Sequence, residues 1–251
     1  MNLQKIETNN LPFTALLYCN PGVGKSTAIG LIAERSEGNT LVLDIDRTIT
    51  RTLAKGEVVK DTSKVLVQQI ENRGKNPAHG VDGTFDNWSK TLQEITPEFI
   101  KENKISTVAV DNISELERCI LSDLGSQGKN RGVPAMSDYQ YMQFQLVNSL
   151  RFMKSLGINV IWTAWEMIEP FNMPDGTQYS RRYPKMSAKI VDNICGLCDV
   201  VGWIYVNKDM EHGILLEATQ NSYAKNQIDD RKACKVEDFV NFSNKKEDKK
   251  S

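Results

Sequence analysis

Asn20-Pro21-Gly22-Val23-Gly24-Lys25-Ser26-Thr27 is the stretch that decides how this chain folds. An apolar run, Thr14 to Tyr18, leads into it and reads as a buried strand. An amphipathic stretch, Ser26 to Arg35, leads out of it and reads as a helix. Strand, glycine loop and helix in that order make a phosphate-binding loop. Its glycines let successive backbone N–H groups turn inward around phosphate oxygens. Lys25 reaches the β and γ oxygens, and Ser26 offers its hydroxyl to Mg2+. The pattern G-x-x-x-x-G-K-[ST] is met except at its first position, where Cys19 replaces glycine. That substitution puts in question any loop geometry with positive φ at position 19, while Gly22 and Gly24 remain beside the phosphates.

Around the loop, apolar runs alternate with helical patterns, the signature of a parallel α/β sheet. Further strands are expected at Thr40–Ile45, Lys64–Ile70, Ile105–Val110 and Ile158–Thr163, and two late ones at Asp199–Val206 and Gly213–Thr219. Helices are expected at Trp88–Asn103, where Pro97 opens a new segment or kinks the old one, and at Ile113–Leu124. Three more follow at Asp138–Leu156, Ser187–Leu197 and Val236–Phe242. Ser137 or Asp138 would cap the long helix at its start, and Gly157 would close it. Residues 72–86 and 125–134 read as loops, and Pro174-Asp175-Gly176-Thr177 as a hairpin turn. With no internal repeat and no linker, residues 1–243 read as one domain and 244–251 as a charged, solvated tail.

Composition sets the outer limits. The chain has 251 residues, 40% of them hydrophobic and 25% charged, enough for a full core. No apolar run approaches the ~18 residues of a membrane span, and the first residues lack the apolar stretch of a signal peptide, so a cytoplasmic protein without a membrane partner is expected. The cysteines are odd in number and scattered. Cys195-Gly-Leu-Cys198 has metal-knuckle spacing but no second pair, so these two are expected to pack in the core. The net charge of −1 neither attracts nor repels a polyanion, so nucleic-acid binding would need local patches. Lys129 with Arg131, Arg181 with Arg182, and Lys185 with Lys189 are those patches.

Several side chains could carry chemistry beside the loop. The run Ser106 to Asp111 is an apolar strand ending in a carboxylate, where Mg2+ and its water shell are held in phosphate-loop proteins. Asp111 could instead cap the next helix, but Asn112 or Ser114 can do that and free it. The second strand ends in Asp44 and Asp46, on one side of an extended chain. Either could polarise an attacking water, with Asp46 preferred because it lies further out; a solvated turn capped by Asp46 is the alternative. Thr163 and Glu166, near the end of the fourth long strand, are candidates to sense the γ-phosphate, or are ordinary strand-end polar residues. The 125–134 and 168–185 loops mix Arg and Lys with Phe171, Tyr179 and Tyr183. That mixture suits single-stranded nucleic acid through phosphate neutralisation and base stacking, or is a flap with exposed charges. Lys225 could reach a neighbouring subunit's nucleotide, or be an exposed lysine.

Loop, strand-end carboxylates, the Thr163-Ala-Trp-Glu166 segment and the late Ala224-Lys225-Asn226 occur in one order. In this the chain resembles the RecA-like P-loop NTPase core, and within it the phage nucleotide-binding proteins of the AAA-type single-strand annealing/recombinase group. The resemblance covers roughly residues 11 to 230, and the phosphate loop is its specific part. It implies an α/β fold with a mostly parallel central sheet flanked by helices and with late antiparallel strands. It implies ATP and Mg2+ as cofactors and Asn20, Pro21, Gly22, Val23, Gly24, Lys25, Ser26 and Thr27 as nucleotide ligands. Lys25, Asp46 and Asp111 would be catalytic, with Ser26 and Asp111 on the Mg2+ side and Lys225 as a trans-acting finger. The implied partners are single-stranded DNA, a single-strand DNA-binding protein and further copies of the chain, in phage recombination or replication. The departures are Cys19, an Asp46 one methylene shorter than the family's Glu, Trp165 where a polar residue is usual, and Gln227 where a second basic residue would help. Two other readings stand beside this one. The first is a P-loop kinase of a nucleotide or small metabolite, with Asp46-Arg47 as base and Arg181-Arg182 as lid. The second is a nucleotide-gated module that anneals strands with little hydrolysis.

Overall fold

A computed structural model describes residues 11–70, 83–130 and 132–241. Arg131, the 72–82 part of the expected loop and the charged tail lie outside the described residues.

In β1 (Thr14–Cys19), β2 (Asn39–Asp44), β4 (Ile105–Asp111) and the inner half of β5 (Asn159–Asn172), nearly every side chain is buried. Apolar runs without alternation belong in strands covered on both faces. Together with β3 (Val65–Gln69) and β7 (Val200–Val206) they run parallel in the order β3-β2-β4-β5-β1-β7. Beyond β7 the sheet turns antiparallel through β8 (His212–Leu215) and β10 (Ala233–Lys235), while β9 (Lys225–Asn226) pairs with the start of β7. β6 (Gln178–Pro184) pairs with the outer half of β5, so the two leave the sheet as a hairpin, and Arg182 of β6 also bridges to Ser222. This is the RecA-like P-loop NTPase fold expected from the sequence.

Helices α1 (Lys25–Arg35) and α2 (Ile49–Ala54) cover one face of the sheet. The other face is covered by α3 (Thr84–Glu94), α5 (Ile113–Gln127), α6 (Met136–Ser155) and α7 (Ala188–Leu197). α4 (Pro97–Glu102) flanks β4. Pro97 does open a new segment: Thr96 Oγ1 accepts from the Phe99 N–H at 3.2 Å, and the proline takes the first turn, where its missing N–H costs nothing.

Other boundaries move. α5 runs to Gln127, into the expected loop. α6 begins at Met136, so Asp138 is not its cap; its carboxylate reaches back to the Ala135 N–H at 2.7 Å, the return half of a capping box. β5 continues past Thr163 to Asn172 because antiparallel pairing with β6 satisfies its backbone outside the apolar core. The hairpin closes where expected, with Gly176 at φ 85° and Asp175 accepting from the Thr177 N–H at 2.9 Å. The end of the described chain is a 3-10 turn, Val236–Asp238, rather than a longer helix. Cys195 and Cys198 are buried, and no cluster of metal-ligating side chains occurs among the described residues. Among those residues, no helix is long and apolar enough to cross a membrane.

α1 packs against α2 through Gly30. A Cβ there would stand 2.6 Å from Leu53 Cδ2 and 2.7 Å from Val59 Cγ2, both on buried side chains. Gly30→Ala is therefore expected to lower stability by about 1–3 kcal/mol, despite alanine's better helix propensity. Gly196→Ala, in α7 with open space around its Cβ, should be neutral or stabilising. Urea midpoints at unchanged m-value check both.

Candidate functional site

β1 delivers the chain to the loop in extended conformation. Cys19 is still strand, paired with Trp165 and buried, and it is not among the residues with positive φ. The left-handed positions are Gly22, at φ 83°, and Gly24, at φ 120°. The first position of the motif therefore needs no glycine here. Burial pushes the Cys19 thiol up to about 11, against the opposing pull of Lys25, so it stays protonated and unreactive.

α1 starts at Lys25 with no side-chain cap and no acid in its first turn, so no carboxylate or capping oxygen there competes with an anion. Lys25 is itself buried. Ser26 Oγ donates to Asp111 Oδ2 at 2.6 Å, and Thr163 Oγ1 donates to Asp111 Oδ1 at 2.8 Å. Loop, β4 and β5 thus meet at one buried carboxylate. The strand order makes this possible: β5 lies between β1 and β4, so three strand ends converge on the loop.

Asn112 caps α5, its Oδ1 accepting from the Glu115 N–H at 2.9 Å, which leaves Asp111 free of that task. The Asn112 amide also donates to Asp46 Oδ2 at 2.5 Å, while Asp46 Oδ1 is buried without a partner. Burial, then the charges of Asp111 and Glu115, push the Asp46 carboxyl up to about 7 against the pull of Lys25. Burial and Asp111 push Asp44 up to about 6. The amides of Arg47, Thr48 and Ile49 favour its anion, but none reaches hydrogen-bond geometry. Of the two, Asp46 lines the cavity in front of the loop, and Asp44 is wholly buried in register with Asp111.

That cavity has a volume of about 730 Å³. It is lined by Lys25, Ser26 and Thr27 of the loop region, by Thr52 and Val59, and by Trp165 and Lys185. Two left-handed glycines, an uncapped helix start and a buried lysine fit a polyphosphate. The Ser26–Asp111 pair sets a hydroxyl beside a carboxylate at the end of the loop, the oxygen donors that a divalent cation would take.

Most of the other sequence candidates do not line the cavity. Glu166 is buried, accepts from Trp203 Nε1 at 2.8 Å and from Asn20 Nδ2 at 3.3 Å, and pairs with Arg182 Nε at 3.2 Å. Arg182 lies over the Trp203 ring, 5.0 Å from its centroid, and Arg181 over Phe171 at 4.7 Å with Tyr183 and Tyr223 beside it. Both guanidiniums are engaged within the protein, although Arg182 remains partly exposed. Lys225 Nζ donates to the carbonyls of Cys195, Gly196 and Cys198 at 3.2, 3.2 and 2.7 Å, closing the C-terminal end of α7 where a cation is favoured. That occupation leaves it no free ammonium for a neighbour's nucleotide. Lys129 is exposed and away from the cavity; Lys185, read as a nucleic-acid contact, lines it. Asn112 as the partner of Asp46 was missed. Its capping role was visible beside a strand-end carboxylate, but its second amide bond depends on β2 and β4 being neighbours.

Fold and site together define a RecA-like P-loop NTPase. The chain belongs to a family described as AAA domain, whose family model matches residues 12–228. Among solved structures it is similar to a KaiC-like protein from the hyperthermophilic archaeon Pyrococcus horikoshii OT3, at 15% identity over 82% of this chain and 79% of that one, with a TM-score of 0.43. No curated protein matches the chain.

Proposed function

We propose that this protein is an ATPase that acts on single-stranded DNA in phage recombination or replication, with the β5–β6 hairpin responding to the nucleotide. The observation that carries this reading is Glu166. One carboxylate touches Asn20, the first loop residue after β1, and Arg182 on the hairpin. A change at the loop therefore reaches the hairpin through a single side chain, which is the sensor role expected of that position. The hairpin is also fixed to α5, the helix that starts next to Asp111, because Glu117 accepts from the Ser187 N–H and hydroxyl just beyond β6. Tyr179 on the hairpin gives a base something to stack on, and Lys129 is an exposed positive charge. Further copies of the chain and a single-strand DNA-binding protein complete the proposed assembly.

At the site, Gly22, Gly24 and Lys25 bind the phosphates, Ser26 and Asp111 hold the metal side, and Asp46, oriented by Asn112, accepts a proton from water. Bound Mg2+ supplies charge neutralisation at the phosphates. Steady-state phosphate release from ATP, with and without single-stranded DNA, tests the reading. A clear rise with DNA is expected. ATP bound without any rise would turn the reading to a strand annealer with little hydrolysis. ADP release that depends on an added nucleoside acceptor would turn it to a kinase.

A further inference from the structure

We propose that Lys185 supplies, from within the same chain, a second phosphate-facing cation of this site, and that Ser114 positions it. The inference rests on reading the cavity as a nucleotide site, and it gives Lys185 a role other than contacting nucleic acid.

Lys185 follows the last residue of β6, and its side chain lines the cavity together with Pro21, Gly22, Lys25 and Ser26. Its backbone is held at both ends. The Lys185 N–H donates to the Trp165 carbonyl at 2.7 Å. The Lys185 carbonyl accepts from Ser114 Oγ at 2.7 Å, and that same oxygen accepts from the Trp165 N–H at 2.9 Å. Ser114 is buried in the first turn of α5, and Pro184 and Met186 on either side of Lys185 are buried as well. A fixed backbone thus carries an exposed side chain.

The direction of that ammonium follows from the sheet. β5 lies between β1, which carries the loop, and β4, which carries Asp111. A phosphate chain running from the loop towards the metal-side carboxylate passes over the end of β5, where Trp165 and Lys185 sit. The Lys185 ammonium is 5.8 Å from the centre of the Trp165 ring, and Arg118 is 5.6 Å from it. The indole attracts the ammonium without neutralising it. Among the described residues no carboxylate forms an ion pair with Lys185. Three other late basic side chains are occupied: Lys225 by carbonyls, Arg182 by Glu166, Arg181 by aromatic rings.

A cation placed beyond Lys25 along the phosphate chain favours the triphosphate over the diphosphate. The test is calorimetric binding of ADP and of the β,γ-imido analogue of ATP, in Mg2+ buffer, to the wild-type chain and to Lys185→Ala, Lys185→Arg and Ser114→Ala. Lys185→Ala should weaken the imido analogue about tenfold and ADP less than twofold, with Lys185→Arg close to wild type. Ser114→Ala should shift the same ratio part of the way, which loss of packing alone would not do. Equal effects on both nucleotides, or none, would overturn the proposal. So would a Lys185→Ala variant that keeps its nucleotide preference but loses affinity for a single-stranded oligonucleotide, since Lys185 would then belong to a nucleic-acid path. Failure of the wild-type chain to bind either nucleotide would instead bring down the reading of the cavity, and this inference with it.

Discussion

Lys25→Ala is expected to remove measurable ATP binding, a loss of at least about 100-fold in affinity. Lys25 is buried at the first position of α1, so its ammonium meets a phosphate where water screens little. Truncating one partner of such a charge pair costs on the order of 2–5 kcal/mol. The rest of the cradle is backbone, which the substitution leaves in place, so a weak anion site at the helix start should survive. Equilibrium binding of a fluorescent ATP analogue measures the loss. A thermal melt of the nucleotide-free variant separates it from unfolding. Ser26→Ala is the companion: it should weaken binding in Mg2+ more than binding in a chelator, because the hydroxyl serves the metal side. Tight ATP binding by Lys25→Ala would remove the site assignment.

How much of this was legible in advance follows from what each residue depends on. The loop was readable because its geometry is local: glycines for positive φ, a strand before, a helix after. Even so, the motif suggested strain at position 19 that does not exist, because the pattern cannot say where the strand ends. The sheet's parallel core was readable from apolar runs, and its order was not, since neighbours are set by crossovers rather than by composition. Roles that need two distant elements were therefore missed or misplaced. Charge in the sequence reads as exposure, but Arg181 and Arg182 lie against rings that only the folded hairpin assembles. Lys225 looked free until α7 placed three carbonyls beside it. Lys185 looked like one more basic residue on a flap until Trp165 and Ser114 fixed its backbone at the cavity. Asp46 was chosen over Asp44 on distance along the strand alone, and the cavity lies on the side that this argument favoured.

Asp46→Asn should separate the two demands on that carboxylate. As an acceptor for the proton of water, its loss should lower phosphate release about 10²- to 10⁴-fold while leaving ATP binding within a few-fold. As a buried acid, its loss should stabilise the nucleotide-free protein. The sign follows from proton counting. The carboxyl titrates near about 7 in the fold and in the usual low carboxylate range when unfolded, so between those limits the native state holds the extra proton. Stability then falls as pH rises through that window, and Asp44, pushed up to about 6, adds to the fall. Asn cannot ionise, and its side-chain oxygen can still accept from Asn112. The variant should therefore match wild type near about pH 4 and exceed it at about pH 8, by on the order of 1–2 kcal/mol once partial solvation is allowed for. Urea melts across pH, beside steady-state hydrolysis, test both halves. A variant that hydrolyses ATP normally would end the assignment of Asp46 as base. A variant stabilised at high pH yet inactive would show that the site keeps a charge the fold disfavours, the pattern expected where function rather than stability selects the residue.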